Sequence, residues 1–133
     1  VIKLTPLANA IERLKEGMAA QANDPQNSLL RDGLILRFEF IYELSHKLLR
    51  RYLESAAADP DDVRVLTFEG LIRLGDEQKL LMSDVAQWKR YCKARTDTSH
   101  NYDEQNAIEI IPLISAFIGE ADHLLKRLQE RTS

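Results

Sequence analysis

A single cysteine, Cys92, stands in 133 residues, which excludes an internal disulfide and leaves the fold to its core alone. No apolar run approaches the roughly 20 residues that cross a bilayer. Nothing near the start has the basic-then-apolar design of a signal peptide, so a reducing, cytoplasmic setting without membrane contact is expected. Surplus positive charge is missing as well: 18 Lys and Arg face 21 Asp and Glu, for a net charge of −3. That balance excludes a general nucleic-acid coating protein, and any polyanion site must be local. Five glycines and four prolines leave few breaks, so long helices are expected. What is present is a 44% hydrophobic content, which suits one domain over residues 1–133 with a single core.

Thr5 and Pro6 have the pattern of an N-cap and a first-turn proline, after which Leu7, Ala10, Ile11, Leu14 and Met18 recur at helical spacing over about 6–22. The Asn23-Asp24-Pro25-Gln26-Asn27 cluster is a turn. Leu30, Leu34, Phe38, Ile41, Ser45, Leu48, Leu49 and Tyr52 then mark a second helix reaching toward residue 57, about 45 Å long at 1.5 Å per residue. Residues 58–64, with Asp59-Pro60-Asp61-Asp62, are expected as an acidic loop. Thr67 opens a short helix that should end near Leu74, with Gly75 as its left-handed stop. Ser83 or Asp84 caps a helix carrying Val85, Trp88, Tyr91 and Cys92, predicted to end around Arg95. From Asp103 a last long helix carries Ala107, Ile111, Ile114, Ile118, Ala121, Leu125 and Leu128, kinked near its start by Pro112. The sum is an all-α, up-and-down four-helix bundle with an additional short helix.

Arg95-Thr96-Asp97-Thr98-Ser99-His100-Asn101-Tyr102 places a cation, an imidazole and a phenol within eight residues, a combination suited to phosphate chemistry. The residues between Arg95 and His100 are small, polar and poor helix formers. In a continuous helix Arg95 and His100 would stand roughly 140° apart, whereas a break between them would let them converge. Just before, Lys89, Arg90, Lys93 and Arg95 form a ridge free of acidic residues between Asp84 and Asp97. It is either a solvated face whose cations favour a helix C-terminus or a phosphate track leading to Arg95 and His100. Trp88 and Tyr91 are read as core or interface anchors rather than base-stacking residues. Two Glu-x-x-His pairs, Glu43 with His46 and Glu120 with His123, have the spacing of dinuclear metal sites in bundles. Glu43 falls roughly 170° and His46 about 110° from the apolar stripe of their helix, and the second pair ~120° off theirs. Both pairs should face water, and neither metal nor cofactor is expected.

The string Arg31-Asp32-Gly33-Leu34-Ile35-Leu36-Arg37-Phe38-Glu39-Phe40-Ile41-Tyr42-Glu43-Leu44, together with Trp88 and the run Arg95 to Glu104, resembles the nucleotidyltransferase substrate-binding family of the HEPN superfamily over nearly the whole chain. The resemblance implies a five-helix up-and-down bundle that forms a homodimer, the Arg-x4-His-x-Tyr segments of two protomers lining one cleft. It also implies a minimal nucleotidyltransferase as partner. In HepT-type toxins of this family the motif supports metal-independent ribonuclease activity, and the partner antitoxin modifies the tyrosine with AMP. The matching positions here are Arg95 and His100 as catalytic residues and Tyr102 as the modified tyrosine; beside them Thr96 and Ser99 are candidate supporting residues, and Lys89, Arg90 and Lys93 of the basic ridge are candidate RNA contacts. Two departures stand out. Thr96 occupies a place where the family commonly has asparagine, which removes one amide donor, and Ser45-His46 replaces a commoner small-then-tryptophan pair.

Three functions fit these residues. One is a toxin ribonuclease restrained by its partner. Another is a non-catalytic module that binds substrate for, or docks on, a two-component nucleotidyltransferase. The third is a purely structural bundle dimer.

Overall fold

The computed structural model describes residues 2–98 in full, the backbone of 99 and 100, and residues 103–132. Among the described residues there are helices and no strands: α1 (Thr5–Asn23), α2 (Ser28–Ala56), α3 (Pro60–Arg64), α4 (Phe68–Glu77), α5 (Val85–His100), α6 (Glu104–Glu109) and α7 (Ile111–Thr132). None of these helices is long and apolar enough to cross a membrane. The four long helices α1, α2, α5 and α7 make the bundle. Helix α2 is its hub and packs against every other helix.

The α2 stripe explains that position. Leu34, Phe38, Ile41, Ser45, Leu48 and Leu49 are all buried, as the spacing predicts. Asn27 starts the helix, its side chain accepting from the Leu29 and Leu30 amides at 3.0 and 3.3 Å. At the centre Phe117 of α7 receives Phe38, Trp88 and Tyr91 edge-on, with centroids 5.6, 5.6 and 4.8 Å away. Trp88 and Tyr91 are therefore core anchors, and they fix the rotation of α5 about its axis.

Five local expectations change. Thr5 is the first helical residue rather than the cap; Leu4 takes that place without a side-chain bond, and Pro6 sits in the first turn. The acidic segment is a helix, α3, because Asp59 accepts from the Asp61 amide at 3.0 Å and Pro60 opens the turn with its φ already set. Thr67 caps α4, its hydroxyl accepting from Gly70 at 3.2 Å, but Gly75 does not end it. Instead Gly75 is buried, with space for a Cβ closed by Leu49 and Leu81 at 3.2 Å. The left-handed residue is Lys79, at φ 64°, with Leu80 donating to the Gly75 carbonyl at 2.9 Å and Lys79 to Asp76 at 3.0 Å. Helix α5 runs past Arg95 to His100. Finally, Pro112 divides the last helix outright, leaving α6 and α7 with Ile110 between them, because its missing N–H and its ring cannot continue the ladder of α6.

Candidate active site

Asp84 starts α5 by accepting from the Gln87 amide at 3.1 Å. Trp88 and Tyr91 then bury one face of the helix against α2 and α7. Seven residues after Trp88, Arg95 lies on the same side where the core gives way to solvent, its side chain about one-third exposed at 34%. Its Nε lies 2.7 Å from Glu43 Oε1, an ion pair by distance whose N–H direction misses the line to the oxygen. One turn further, the Thr98 hydroxyl has Glu39 Oε2 at 3.0 Å and the Ala94 and Arg95 carbonyls at 3.0 and 3.2 Å as acceptors for its one proton. Glu39 and Glu43, a turn apart on α2, thus hold Thr98 and Arg95 of α5. On the far side of the motif, buried Arg31 of α2 donates to Glu104 at 3.0 Å at the start of α6. The same helix therefore anchors the chain on both flanks of residues 99–102.

The break expected between Arg95 and His100 is absent, since the backbone stays helical through both positions. The side chains of Ser99 and His100, and Asn101 and Tyr102 entirely, lie outside the described residues. Thr96 is exposed beside Arg95. Along the basic ridge, Lys89 pairs with Glu69, and Lys93 meets Asp97 at 2.6 Å. Arg90 donates to the Gln87 amide oxygen at 3.4 Å. The Lys89 ammonium holds the Glu69 carboxyl below the usual carboxylate range, first by hydrogen bond and then by charge.

A shallow cleft of about 250 Å³ opens between α2, α4 and α5, lined by Tyr42, Glu43, His46, Arg50, Phe68, Cys92, Arg95 and Thr96. His46 is half-buried between Tyr42 and Phe68, its ring centroid 6.3 and 5.8 Å from theirs and tilted by 22° and 10°. Burial, and then the charge of Arg50, hold its pKa below 6.5, while Glu43 pulls the other way. Burial, and then the Cys92 thiol beside its hydroxyl, push Tyr42 well above the ordinary phenol value. The tyrosine is therefore a neutral wall of the cleft.

The Glu-x-x-His pairs part company with their expectation. Glu43 is exposed, but His46 is half covered by rings. Glu120 is fully buried, accepting from the Met82 and Ser83 amides at 2.8 and 3.3 Å. Among the described residues no group of three His, Cys, Asp or Glu converges as metal ligands would. Sequence reasoning missed Glu39 and Glu43 as partners of α5, and Arg50 and Phe68 as cleft residues. The signal for the first two was their four-residue spacing inside the Phe38–Leu44 string; Arg50 and Phe68 carried none.

The sequence profile of the family described as "Nucleotidyltransferase substrate binding protein like" matches residues 2–130. A Haemophilus influenzae protein called "Probable ribonuclease HepT" is 35% identical over 112 residues, covering 81% of this chain and 76% of its own. Among solved structures, HI0074 from Haemophilus influenzae, described as revealing the fold of a substrate-binding domain of a nucleotidyltransferase, superposes with a TM-score of 0.87 at 31% identity, covering 96% of this chain and 99% of that one. A crystal structure from Thermus thermophilus gives a TM-score of 0.75 at 26% identity over 92% of this chain and 98% of its own.

Proposed function

The chain belongs to the family of nucleotidyltransferase substrate-binding-like proteins, and from that premise we propose that it is a HepT-like toxin, a metal-independent ribonuclease inhibited by a minimal nucleotidyltransferase partner. The observation that carries this reading is the placement of Arg95, at the solvent end of the Trp88 stripe and facing Glu43, in a helix that runs on to His100. The HepT name of the Haemophilus influenzae relative supports it.

RNA cleavage of this kind begins when the ribose 2′-oxygen attacks the adjacent phosphorus as its proton passes to a base. The bond to the 5′-oxygen breaks, that oxygen takes a proton from an acid, and a 2′,3′-cyclic phosphate remains. His100 serves as base or acid, because an imidazole's unperturbed pKa near 6.5 keeps both forms accessible at neutral pH. Arg95 stabilises the charge that develops on the phosphoryl oxygens. Positions 95 and 100 of one continuous helix stand roughly 140° apart. A homodimer resolves this by bringing two arginines and two histidines to one cleft, one histidine acting as base and the other as acid. An exposed apolar stripe on α2 supports the pairing: Leu29, Leu36 and Phe40 are 80, 67 and 53% exposed and flank the Glu43 side of the helix. The partner transfers AMP from ATP to the Tyr102 oxygen, which loses its proton as the α–β phosphoanhydride bond breaks and pyrophosphate leaves, setting a bulky anion beside Arg95 and His100 and closing the cleft by charge and size. Thr96 and Ser99 supply supporting hydroxyls, and Lys89, Arg90 and Lys93 line the approach for RNA.

Purified protein should cleave a mixed RNA pool in excess chelator, and His100→Ala at matched folding should abolish that cleavage. Cleavage by neither protein would sink the ribonuclease reading. With the partner co-expressed, Tyr102→Phe should escape inhibition; inhibition retained in that variant would exclude modification there. A second reading, a non-catalytic substrate-binding or docking subunit of a two-component nucleotidyltransferase, is favoured by one observation: Lys89, Lys93 and Arg95 each already face a carboxylate. Toxicity on expressing this chain alone separates the two, since only the ribonuclease predicts it.

A further inference from the structure

The chemistry above uses the cleft between α2, α4 and α5 only at Arg95 and Thr96. It brings two guanidiniums, Arg50 and Arg95, to a wall of three near-parallel rings, Tyr42, His46 and Phe68. Arg50 spends one N–H on the Val63 carbonyl at 3.3 Å, which steadies its guanidinium on α3 and leaves it further donors. Arg95 is drawn to Glu43, whose carboxylate lies 2.7 Å from its buried Nε yet off the N–H line, so the pair is held by charge rather than by a formed hydrogen bond. His46 has no hydrogen-bond partner among the described residues, and both burial and Arg50 keep it neutral, so its ring offers one donor and one acceptor. The apolar ring wall beside these cations meets the two needs of a single-stranded nucleotide, a surface for the base or ribose and charge for the phosphate. At about 250 Å³ the cleft is smaller than the roughly 300–1,000 Å³ usual for drug-sized ligands, and suits part of one nucleotide rather than a long segment.

Its position extends the argument. Thr96 lines the cleft, and position 100 is one helical turn beyond it on the same side of α5. We infer that this cleft is a subsite for a nucleotide flanking the scissile bond, with Arg50 and Arg95 on its phosphate and the His46–Phe68 wall beside its nucleoside. The inference rests on the ribonuclease reading for its ligand, single-stranded RNA, and adds residues that the Arg-x4-His-x-Tyr motif does not contain. Glu43 acts in it as an internal competitor, occupying Arg95 until phosphate displaces it.

The test uses a short fluorescent 2′-O-methyl oligonucleotide, which binds but cannot be cleaved, titrated at several salt concentrations, with cleavage of the unmodified RNA measured alongside. Arg50→Gln should weaken binding roughly ten-fold. It should also flatten the slope of log affinity against log salt by about 0.7, the value of one lost single-strand phosphate contact. Glu43→Gln should bind more tightly than wild type, a gain that damage to the fold cannot produce. AMP should displace the probe, and an equal concentration of inorganic phosphate should not. Wild-type affinity and slope in both variants, a weakened Glu43→Gln, or equal displacement by phosphate would each overturn the subsite. The two readings fail separately: normal cleavage with Arg50-independent binding removes only the subsite, whereas Arg50-dependent binding by a protein that cleaves nothing removes only the nuclease.

Discussion

Glu120 is a carboxylate with no exposed surface, and its Oε2 takes the Met82 and Ser83 amides just after the turn that follows α4. Hydrogen bonds from amides to a charged acceptor contribute about 1.5–3 kcal/mol each, and a buried donor left unpaired costs a comparable amount. Glu120→Ala should therefore lower stability by roughly 2–4 kcal/mol in urea unfolding, and Glu120→Gln by clearly less, because its amide oxygen still accepts. Equal losses would show that the carboxylate's bonds are not what holds this turn. His46 yields a prediction in pH. Its folded pKa lies below 6.5, so between the two values the unfolded chain binds more protons and stability rises with pH. The stabilising contribution is whole above about pH 6.5 and is lost as pH falls toward the folded value. Urea midpoints of wild type should drop between pH 7.5 and 5.5, and His46→Phe, which keeps a ring in the stack, should drop less; an unchanged drop would place the titration elsewhere. Neither residue's setting was legible in the sequence. An angular count places Glu120 off the α7 stripe, but it reckons one helix face at a time, and the segment at Met82 and Ser83 covers α7 from a second side.

The elements show where local chemistry speaks and where it is overruled. The long α2 stripe, the Thr67 cap and the Trp88–Tyr91 anchor follow from spacing and side-chain chemistry, and each is found in place. Asp59-Pro60 carried an equally clear start signal for α3, masked by reading the acidic run as a loop. Gly75 misled for a physical reason: a glycine near a helix end fits both a left-handed stop and a close approach of neighbouring side chains, and only packing against Leu49 and Leu81 decides. The stop fell instead to Lys79, an L-residue held at φ 64° by the bonds that close α4. Lys79→Gly should relieve that conformation and stabilise the protein by roughly 0.5–1 kcal/mol, a rise of about 2–4 °C in Tm. Lys79→Ala, which leaves a Cβ in the same place, should give no such rise, and equal behaviour of the two would remove backbone strain as the cause. The extension of α5 to His100 was hidden because Thr96–Ser99 are individually poor helix formers, while Glu39 and Glu43, more than fifty positions earlier, supply the acceptors that hold Thr98 and Arg95.

At the scale of the molecule, α2 joins the core to the site. One side carries Phe38 and Ile41 into the bundle; another presents Glu39 and Glu43 to α5; a third leaves Leu29, Leu36 and Phe40 in water. An apolar stripe beside the partner of Arg95 gives the proposed homodimer a surface, and the continuous α5 gives it a reason, because one chain holds positions 95 and 100 on different sides of its helix. If two copies share a cleft, catalysis belongs to the pair. Phe40→Glu should then convert the protein to a monomer in sedimentation and abolish cleavage, while the helical content and the Trp88 core stay as they are. Arg95→Ala and His100→Ala should each be inactive as pure proteins. Unfolded together and refolded as a mixture, they should recover only a small fraction of wild-type activity, because each mixed dimer holds one arginine and one histidine from opposite chains and water must stand in for the second histidine. That recovery should fail when Phe40→Glu is added to both chains. Activity that survives in the monomer would confine the chemistry to one protomer, and the angular separation of Arg95 and His100 would then have to be closed within residues 99–102.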